Sequence, residues 1–240
     1  MTITSHHNRK LKEIRKLRQR RRWRERSKRF VADGEDLLAA ADQAGWQPLE
    51  RYCATGSGLP GVEVDPEALA SASGLASGTR TLAVYEERWA KAPTGPVCVY
   101  LHGVHDPGNV GTILRSAHAF GAGSVALGPG SADPFSPHAV RASMGAVFAV
   151  PLARAESPSE LPGERIALVA GAGVPVHDLP RATREMSLMI GSERDGLPRA
   201  IIEQADCTAH IPIRTDSLNA AMAAAVALYE VTRARRMAPA

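Results

Sequence analysis

The stretch from Ile211 to Arg233 limits what this chain can fold into more than any other. Ile-Pro-Ile-Arg-Thr-Asp-Ser-Leu-Asn leads there into an alanine-rich run through Tyr229-Glu230. Asp216 or Ser217 is placed to cap a helix by accepting a bond from a free backbone N–H, and Ala, Leu and Met then favour helix over residues 217–234. The apolar residues keep to no single stripe: Leu218, Ala221, Met222, Ala224, Ala225 and Leu228 cover nearly every direction. A helix apolar all round is a buried one. Asp216, Ser217 and Asn219 are therefore expected to face an interior cleft where that helix begins, which marks a ligand site.

Charge adds a second constraint. The net charge of +4 is uneven, because between Arg9 and Arg29 there are 13 Lys/Arg against Glu13 and Glu25, leaving 16 basic and 23 acidic residues for the rest of the chain. Residues 8–28 read as one helix with Leu11, Ile14, Leu17 and Trp23 on one side. So many like charges repel unless a polyanion compensates them, which points to RNA, with a solvated helical face as the alternative. The apolar positions do not sustain a heptad, against a coiled-coil role. Arg9, Lys10, Arg15, Arg18 and Arg22 are the candidate RNA contacts.

Cys53, Cys98 and Cys207 lie far apart in strand-like runs, with no C-x-x-C, and read as reduced core thiols in a cytoplasmic protein. His102 and His105 lack a third ligand at usable spacing, so no metal site is expected. No apolar run approaches about 18 residues, and no apolar h-region follows the basic N-terminus. Membrane and secretory readings are set aside.

With 240 residues and 44% apolar content, two units with cores are expected. After the basic helix (1–29), residues 30–91 alternate strands at Phe30–Ala32, Leu49–Ala54 and Thr81–Tyr85 with helices at Glu35–Ala44 and from Pro66 to a stop at Gly74. Ala92-Pro93-Thr94-Gly95-Pro96 is a linker by its proline and glycine content. Residues 97–240 carry short apolar runs at Val97–Leu101, Ser124–Leu127, Val147–Val150, Ile166–Ala170, Met186–Ile190 and Cys207–Ile211, the pattern of a parallel sheet buried on both faces. Helices at about 109–121, 137–144, 196–204 and 217–234 complete an α/β layered domain.

Two further stretches carry chemistry. Gly103-Val104-His105-Asp106-Pro107-Gly108-Asn109-Val110-Gly111 follows a strand and enters a helix containing Arg115, a generic anion or nucleotide site. A capping Asn109 and a surface Arg115 are the plain alternative. It lacks G-x-G-x-x-G, against a dinucleotide-dependent oxidoreductase. Gly191-Ser192-Glu193-Arg194-Asp195-Gly196 puts a carboxylate at the carboxyl end of a strand, where open α/β sheets bind ligands; a turn with a solvated acid is the alternative.

Together, Asn109–Arg115, the Gly191-Ser192-Glu193 turn, and Ile211-Pro212 with Ser217-Leu218-Asn219 resemble the three signature motifs of the SpoU/TrmH family, the RNA ribose 2′-O-methyltransferases of the SPOUT class. The likeness covers nearly all of 97–234, including Asp133-Pro134 and Pro137–Ala146; residues 30–91 resemble, more loosely, the small α/β substrate-binding domain that often precedes it. The resemblance implies an S-adenosylmethionine site in a C-terminal trefoil knot and a homodimer with its interface beside the active site. It implies Asn109, Arg115, Glu193, Ser217 and Asn219 as active-site residues, Gly191, Ile211 and Leu218 as cofactor contacts, and Arg115 as the residue that activates the ribose hydroxyl. Arg141, in the middle segment, joins the RNA candidates.

The chain departs from the family pattern in the shortened Ile213–Asp216 spacer between Ile-Pro and Ser-Leu-Asn, in Ala220 for the usual Val and in His138 for the common Lys. Ribosomal RNA is the expected substrate. Transfer RNA, or a non-catalytic RNA-binding or ribosome-associated role, is the alternative.

Overall fold

The computed structural model describes residues 2–74, 78–179 and 184–233. Of the expectations above, the end of the last helix at 234 and the domain's final residues lie outside the described residues. In chain order the elements are α1 (Arg9–Gln19), α2 (Arg21–Ser27), β1 (Arg29–Asp33), α3 (Glu35–Gln43), β2 (Glu50–Ala54), β3 (Val62–Val64), α4 (Pro66–Ser73), β4 (Thr81–Glu86), β5 (Val97–Leu101), α5 (Pro107–Phe120), β6 (Ser124–Leu127), α6 (Pro137–Ala142), α7 (Ala146–Ala149), β7 (Leu152–Arg154), β8 (Glu164–Leu168), β9 (Val174–Pro175), β10 (Met186–Ile190), α8 (Arg199–Ile202), β11 (Cys207–His210) and α9 (Ala220–Thr232). No helix among the described residues is long and apolar enough to cross a membrane.

The chain divides into two compact units. One comprises residues 1–88 with 133–149, the other residues 89–132 with 150–240. The sequence reading breaks the chain at 92–96 and leaves 133–149 in the second half. In the structure Phe135 and Phe148 instead join Phe30, Trp46 and Tyr85 in an aromatic cluster of the first unit, with Phe30–Phe135 ring centroids 4.8 Å apart and Trp46–Phe148 5.2 Å apart. Sequence neighbourhood assigns a segment to its flanks, whereas burial of large rings assigns it to whichever core receives them.

The first unit is built on a sheet of order β1-β4-β2-β3, antiparallel except for the β2–β3 pair. β3 falls next to a stretch read as turns only. Leu11, Ile14 and Leu17 of α1 pack with Leu69 and Ala72 of α4 over Val31, Tyr52 and Leu82 of the sheet. The expected single basic helix is two: Arg20 adopts an extended conformation (φ −123°, ψ 107°) between α1 and α2. That bend lets Arg24 turn inward, where it is 4% exposed and donates to the carboxylate of Asp133 at 2.8 Å and to the carbonyl of Leu17 at 2.6 Å.

The second unit holds a seven-stranded, fully parallel sheet of order β7-β6-β5-β10-β8-β11-β9. Every residue of the central strands β5 and β10 is buried, as a sheet covered on both faces requires. Of the run Val147–Val150, read as one of these strands, residues 147–149 are in helix α7 of the first unit, and the strand that follows is β7. A four-residue apolar run does not distinguish strand from buried helix by periodicity.

α5 and α9 pack against each other. Ala221, Ala224, Ala227 and Leu228 of α9 are buried, but Met222 is 58% and Tyr229 52% exposed, so one side of a helix expected to be buried all round is open. The three cysteines are free thiols in β2, β5 and β11.

Candidate active site

All three motif stretches leave the carboxyl ends of parallel strands of the second unit: the first from β5, the second from β10, the third from β11. A parallel sheet gathers its strand ends on one rim, where ligands of open α/β sheets bind. Three stretches separated by up to about a hundred residues of chain thereby meet.

Capping decides how they meet. The Asp106 carboxylate accepts from the backbone N–H groups of Gly108 (2.6 Å) and Asn109 (3.1 Å) and so caps α5. The side chain of Asn109 is released from that role: its Nδ2 donates to Glu193 Oε1 at 2.5 Å, and its Oδ1 accepts from Asn219 Nδ2 at 3.0 Å. Neither Asp216 nor Ser217 caps the last helix. Asn219 does, its Oδ1 accepting from the N–H groups of Ala221 (2.9 Å) and Met222 (3.3 Å). A helix start three residues later than expected leaves Ser217 and Leu218 in loop conformation beside the cavity.

Asn219 thus has its oxygen held by a helix N-terminus and its nitrogen aimed at Asn109. That orientation in turn aims the Asn109 nitrogen at Glu193, and one polar chain locks three motifs into a single geometry.

Glu193 projects from a closed loop. Ser192 and Gly196 exchange two backbone hydrogen bonds of 3.1 Å, and Ser192 Oγ accepts from Asp195 N–H at 3.1 Å. At the loop's base a Cβ on Gly191 would lie 2.1 Å from the Gly196 carbonyl carbon and 2.2 Å from the Leu197 nitrogen, so only glycine lets the loop close.

A cavity of about 420 Å³ opens beside this loop, within the size range of small-molecule sites. Leu168, Ile190, Ile211 and Leu218 form apolar wall, and Gly191, Glu193 and Ser217 line it too. Its charged lining is Arg194 against Glu193, Asp195 and Asp216, which favours a cationic ligand. Of these charges the sequence places Asp216 at the cleft, but it singles out neither Arg194 and Asp195 nor the Leu168 end of β8 with the Val169-Ala170 that follows. The β8 end borders the cavity because β8 lies between β10 and β11 in the sheet, an order that local sequence does not carry.

Arg115 sits on α5 six residues beyond Asn109, exposed, with no hydrogen bond or ion pair to any described residue. No contact brings it into the Asn109–Glu193–Asn219 cluster. At the end of β5, His102 Nδ1 and Tyr100 Oη share a 3.1 Å hydrogen bond; burial lowers the pKa of His102, and burial with Glu156 and Glu160 nearby pushes the Tyr100 phenol up to about 12. Among the described residues no group of three His, Cys, Asp or Glu side chains is arranged to hold a metal.

The RNA candidates separate by environment. Arg9 and Arg22 are exposed and make no ion pair among the described residues. Lys10 lies 3.5 Å from Glu50, and Arg15 donates to the carbonyl of His6 at 2.8 Å. Arg18, with a side chain 10% exposed, is bound at 2.8 Å to Asp33, whose carboxylate also receives Arg141 at 3.1 Å. Arg18 is therefore largely enclosed in an ion pair, unlike the exposed Arg9 and Arg22.

Comparison with known proteins bears on the same residues. A model of the SpoU rRNA Methylase family matches residues 96–229, and a model of the MRM3-like substrate binding domain matches residues 8–92. The chain is similar to the 23S rRNA (guanosine(2553)-2′-O)-methyltransferase RlmP of Bacillus subtilis, 28% identical over 245 residues that cover 95% of this chain and 98% of that one. It is 40% identical over 146 residues to an uncharacterized tRNA/rRNA methyltransferase of Mycobacterium tuberculosis; the match takes in 55% of this chain and half the length of that relative. Among solved structures, the AdoMet-bound rRNA methyltransferase from Sinorhizobium meliloti superposes with a TM-score of 0.87 at 30% identity, covering 100% of this chain and 99% of that one.

Proposed function

The chain belongs to the SpoU rRNA methylase family, and from that premise we propose that it transfers a methyl group from S-adenosylmethionine to a ribose 2′-hydroxyl of ribosomal RNA. The observation that carries this reading is the hydrogen-bonded cluster of Asn109, Glu193 and Asn219 beside a cavity of about 420 Å³. The cavity fits the cofactor in size, in its apolar wall for an adenine ring, and in a lining of three carboxylates against one guanidinium for a sulfonium cation. Gly191, Ile211 and Leu218 would hold it, with Ser217 beside them. Bound there, S-adenosylmethionine supplies an electrophilic methyl group on a positively charged sulfur.

What the protein must add is alignment of the hydroxyl oxygen with that methyl, exclusion of water and stabilisation of charge on the oxygen as its proton leaves. The guanidinium of Arg115 is a hydrogen-bond donor and a poor general base. It serves as donor to the 2′-oxygen, orienting it and stabilising the developing oxyanion, while an adjacent RNA phosphate or solvent takes the proton. Asn109 and Asn219 hold Glu193 at the reaction centre.

The reading includes three finer elements. A homodimer is supported by the open apolar side of α9 at Met222 and Tyr229. A C-terminal trefoil knot is supported by β10 and β11 entering the sheet on the two flanks of β8. A cytoplasmic location is supported by three free thiols.

The test is methyl transfer from labelled S-adenosylmethionine to separate pools of unmodified ribosomal and transfer RNA, followed by mapping of the modified nucleotide. Label on the 2′-oxygen of ribosomal RNA is the expected result. Label confined to transfer RNA moves the substrate class, and RNA binding without label in either pool refutes the enzymatic reading.

The exposed cations of α1 and α2 supply the electrostatic part of RNA binding. Replacing Arg9, Lys12 and Arg22 together by Gln is expected to weaken binding and to reduce the slope of log affinity against log salt by about two to three, as each lost phosphate contact removes just under one unit. An unchanged slope would assign the polyanion contact elsewhere.

A further inference from the structure

Within the first unit, the α6–α7 corner holds a methionine in a conformation that side chains avoid. Met144 has φ of +48°; Lys28, the left-handed cap of α2, is the other non-glycine residue with positive φ among the described residues. Glycine is the usual occupant of such a position after a helix. The thioether is not drawn there by the core, because Met144 is 55% exposed. Apolar exposure together with an unfavourable backbone points to a use outside the chain's own packing.

The corner is wedged from both sides. Ser143 is fully buried, with Oγ donating to the Val140 carbonyl at 2.7 Å, and a Cβ on Gly145 would come 2.5 Å from the Ala40 side chain. Position 144 is therefore directed outward by its neighbours. Three residues back, Arg141 holds its guanidinium against Asp33 at 3.1 Å, with the guanidinium side chain 43% exposed and the carboxylate 4%. A buried carboxylate thus braces a cation whose outer N–H groups remain presented to solvent.

We propose that Arg141 and Met144 form a nucleotide-binding corner for the RNA substrate, with Arg141 on a phosphate and the Met144 thioether against the face of an unpaired base. This rests on the RNA methyltransferase reading and extends it to the form of the RNA. In a duplex the base faces are covered by stacking, so a contact of this kind selects a loop or bulge. Sulfur is polarisable and packs favourably on aromatic rings, and the unbranched side chain adapts to any base. The unit's excess of exposed Lys and Arg on α1 and α2 favours a polyanion over a protein partner.

The variants Met144→Gly and Met144→Leu separate the contact from the fold. Glycine accepts the left-handed backbone without strain, so M144G retains or raises Tm; leucine keeps the apolar contact. With unmodified 23S rRNA transcribed in vitro as the probe, M144G is expected to bind about three- to tenfold more weakly. S-adenosylmethionine affinity stays unchanged, and M144L remains within about twofold of wild type. Wild-type affinity in M144G overturns the inference. So does a loss of affinity accompanied by a change of oligomeric mass in light scattering, which would assign the contact to a second copy of the chain. Failure of the wild-type chain to bind this RNA overturns the functional reading and the inference together.

Discussion

Arg115→Ala is expected to lower methyl transfer by about a hundredfold to a thousandfold, the scale on which loss of one donor to a developing oxyanion is felt. The fold gives no competing explanation for such a loss. Arg115 is exposed and bonded to no described residue, and surface substitutions of this kind shift stability by no more than about 0.5 kcal/mol. Tm and the affinity for S-adenosylmethionine are therefore expected to stay at wild-type values while single-turnover transfer collapses. Arg115→Lys keeps the charge but not the planar fork, and should recover only a small part of the rate. Full activity in the alanine variant would remove Arg115 from the chemistry and leave the hydroxyl to be activated by another group.

Asn109→Asp is expected to be nearly as damaging, for a different reason. The native amide donates to Glu193 Oε1 and accepts from Asn219 Nδ2 at the same time. A carboxylate at position 109 can still accept from Asn219 but meets the Glu193 carboxylate at hydrogen-bond distance with no proton to share. The loss of a part-buried hydrogen bond plus like-charge repulsion should cost about 1–3 kcal/mol of stability and displace Glu193 from the loop's present position. Adding Glu193→Gln restores a donor opposite the new carboxylate, so N109D/E193Q should regain the Tm that N109D loses. The transfer rate of that double variant separates two roles: recovery means Glu193 acts through position, and continued inactivity means its charge is needed. A double variant no more stable than N109D would show that the Asn109–Glu193 bond does not hold the site together.

The motif residues were legible because each sits in a short stretch whose local chemistry is strong. Asn109, Gly191, Glu193 and Asn219 follow strand-like runs and precede helix starts, and their order along the chain carried the family likeness. Their mutual contacts were not legible. Choosing between Asn109 as a cap and Asn109 as a site residue required knowing that Asp106 takes the two N–H groups first, and the choice among Asp216, Ser217 and Asn219 as the cap of α9 turned on which oxygen reaches Ala221 and Met222. Several capping residues in a row satisfy the same local rule, and only the path of the loop selects one.

The basic segment shows the opposite limit. Composition identified the excess of charge and grouped Arg18 with Arg9 and Arg22, whereas packing turned Arg18 and Arg24 inward onto Asp33 and Asp133 and left Arg9 and Arg22 outside. A buried guanidinium needs a carboxylate partner, and such partners lie 15 and 109 residues away in the chain.

By itself, then, the sequence determined the α/β class, the strand ends that carry the three motif stretches and the basic excess of the N-terminal segment, because these depend on periodicity, turn chemistry and charge within about ten residues, while the roles proposed for the site residues came with the family likeness. Tertiary structure alone decided that 133–149 belongs to the first unit and that β8 borders the cavity. It alone decided that α9 keeps one apolar side open and that an amide chain from Asn219 through Asn109 aims Glu193. Each of these follows from which distant surfaces bury one another, a choice made by the summed burial of the whole chain rather than by any segment of it.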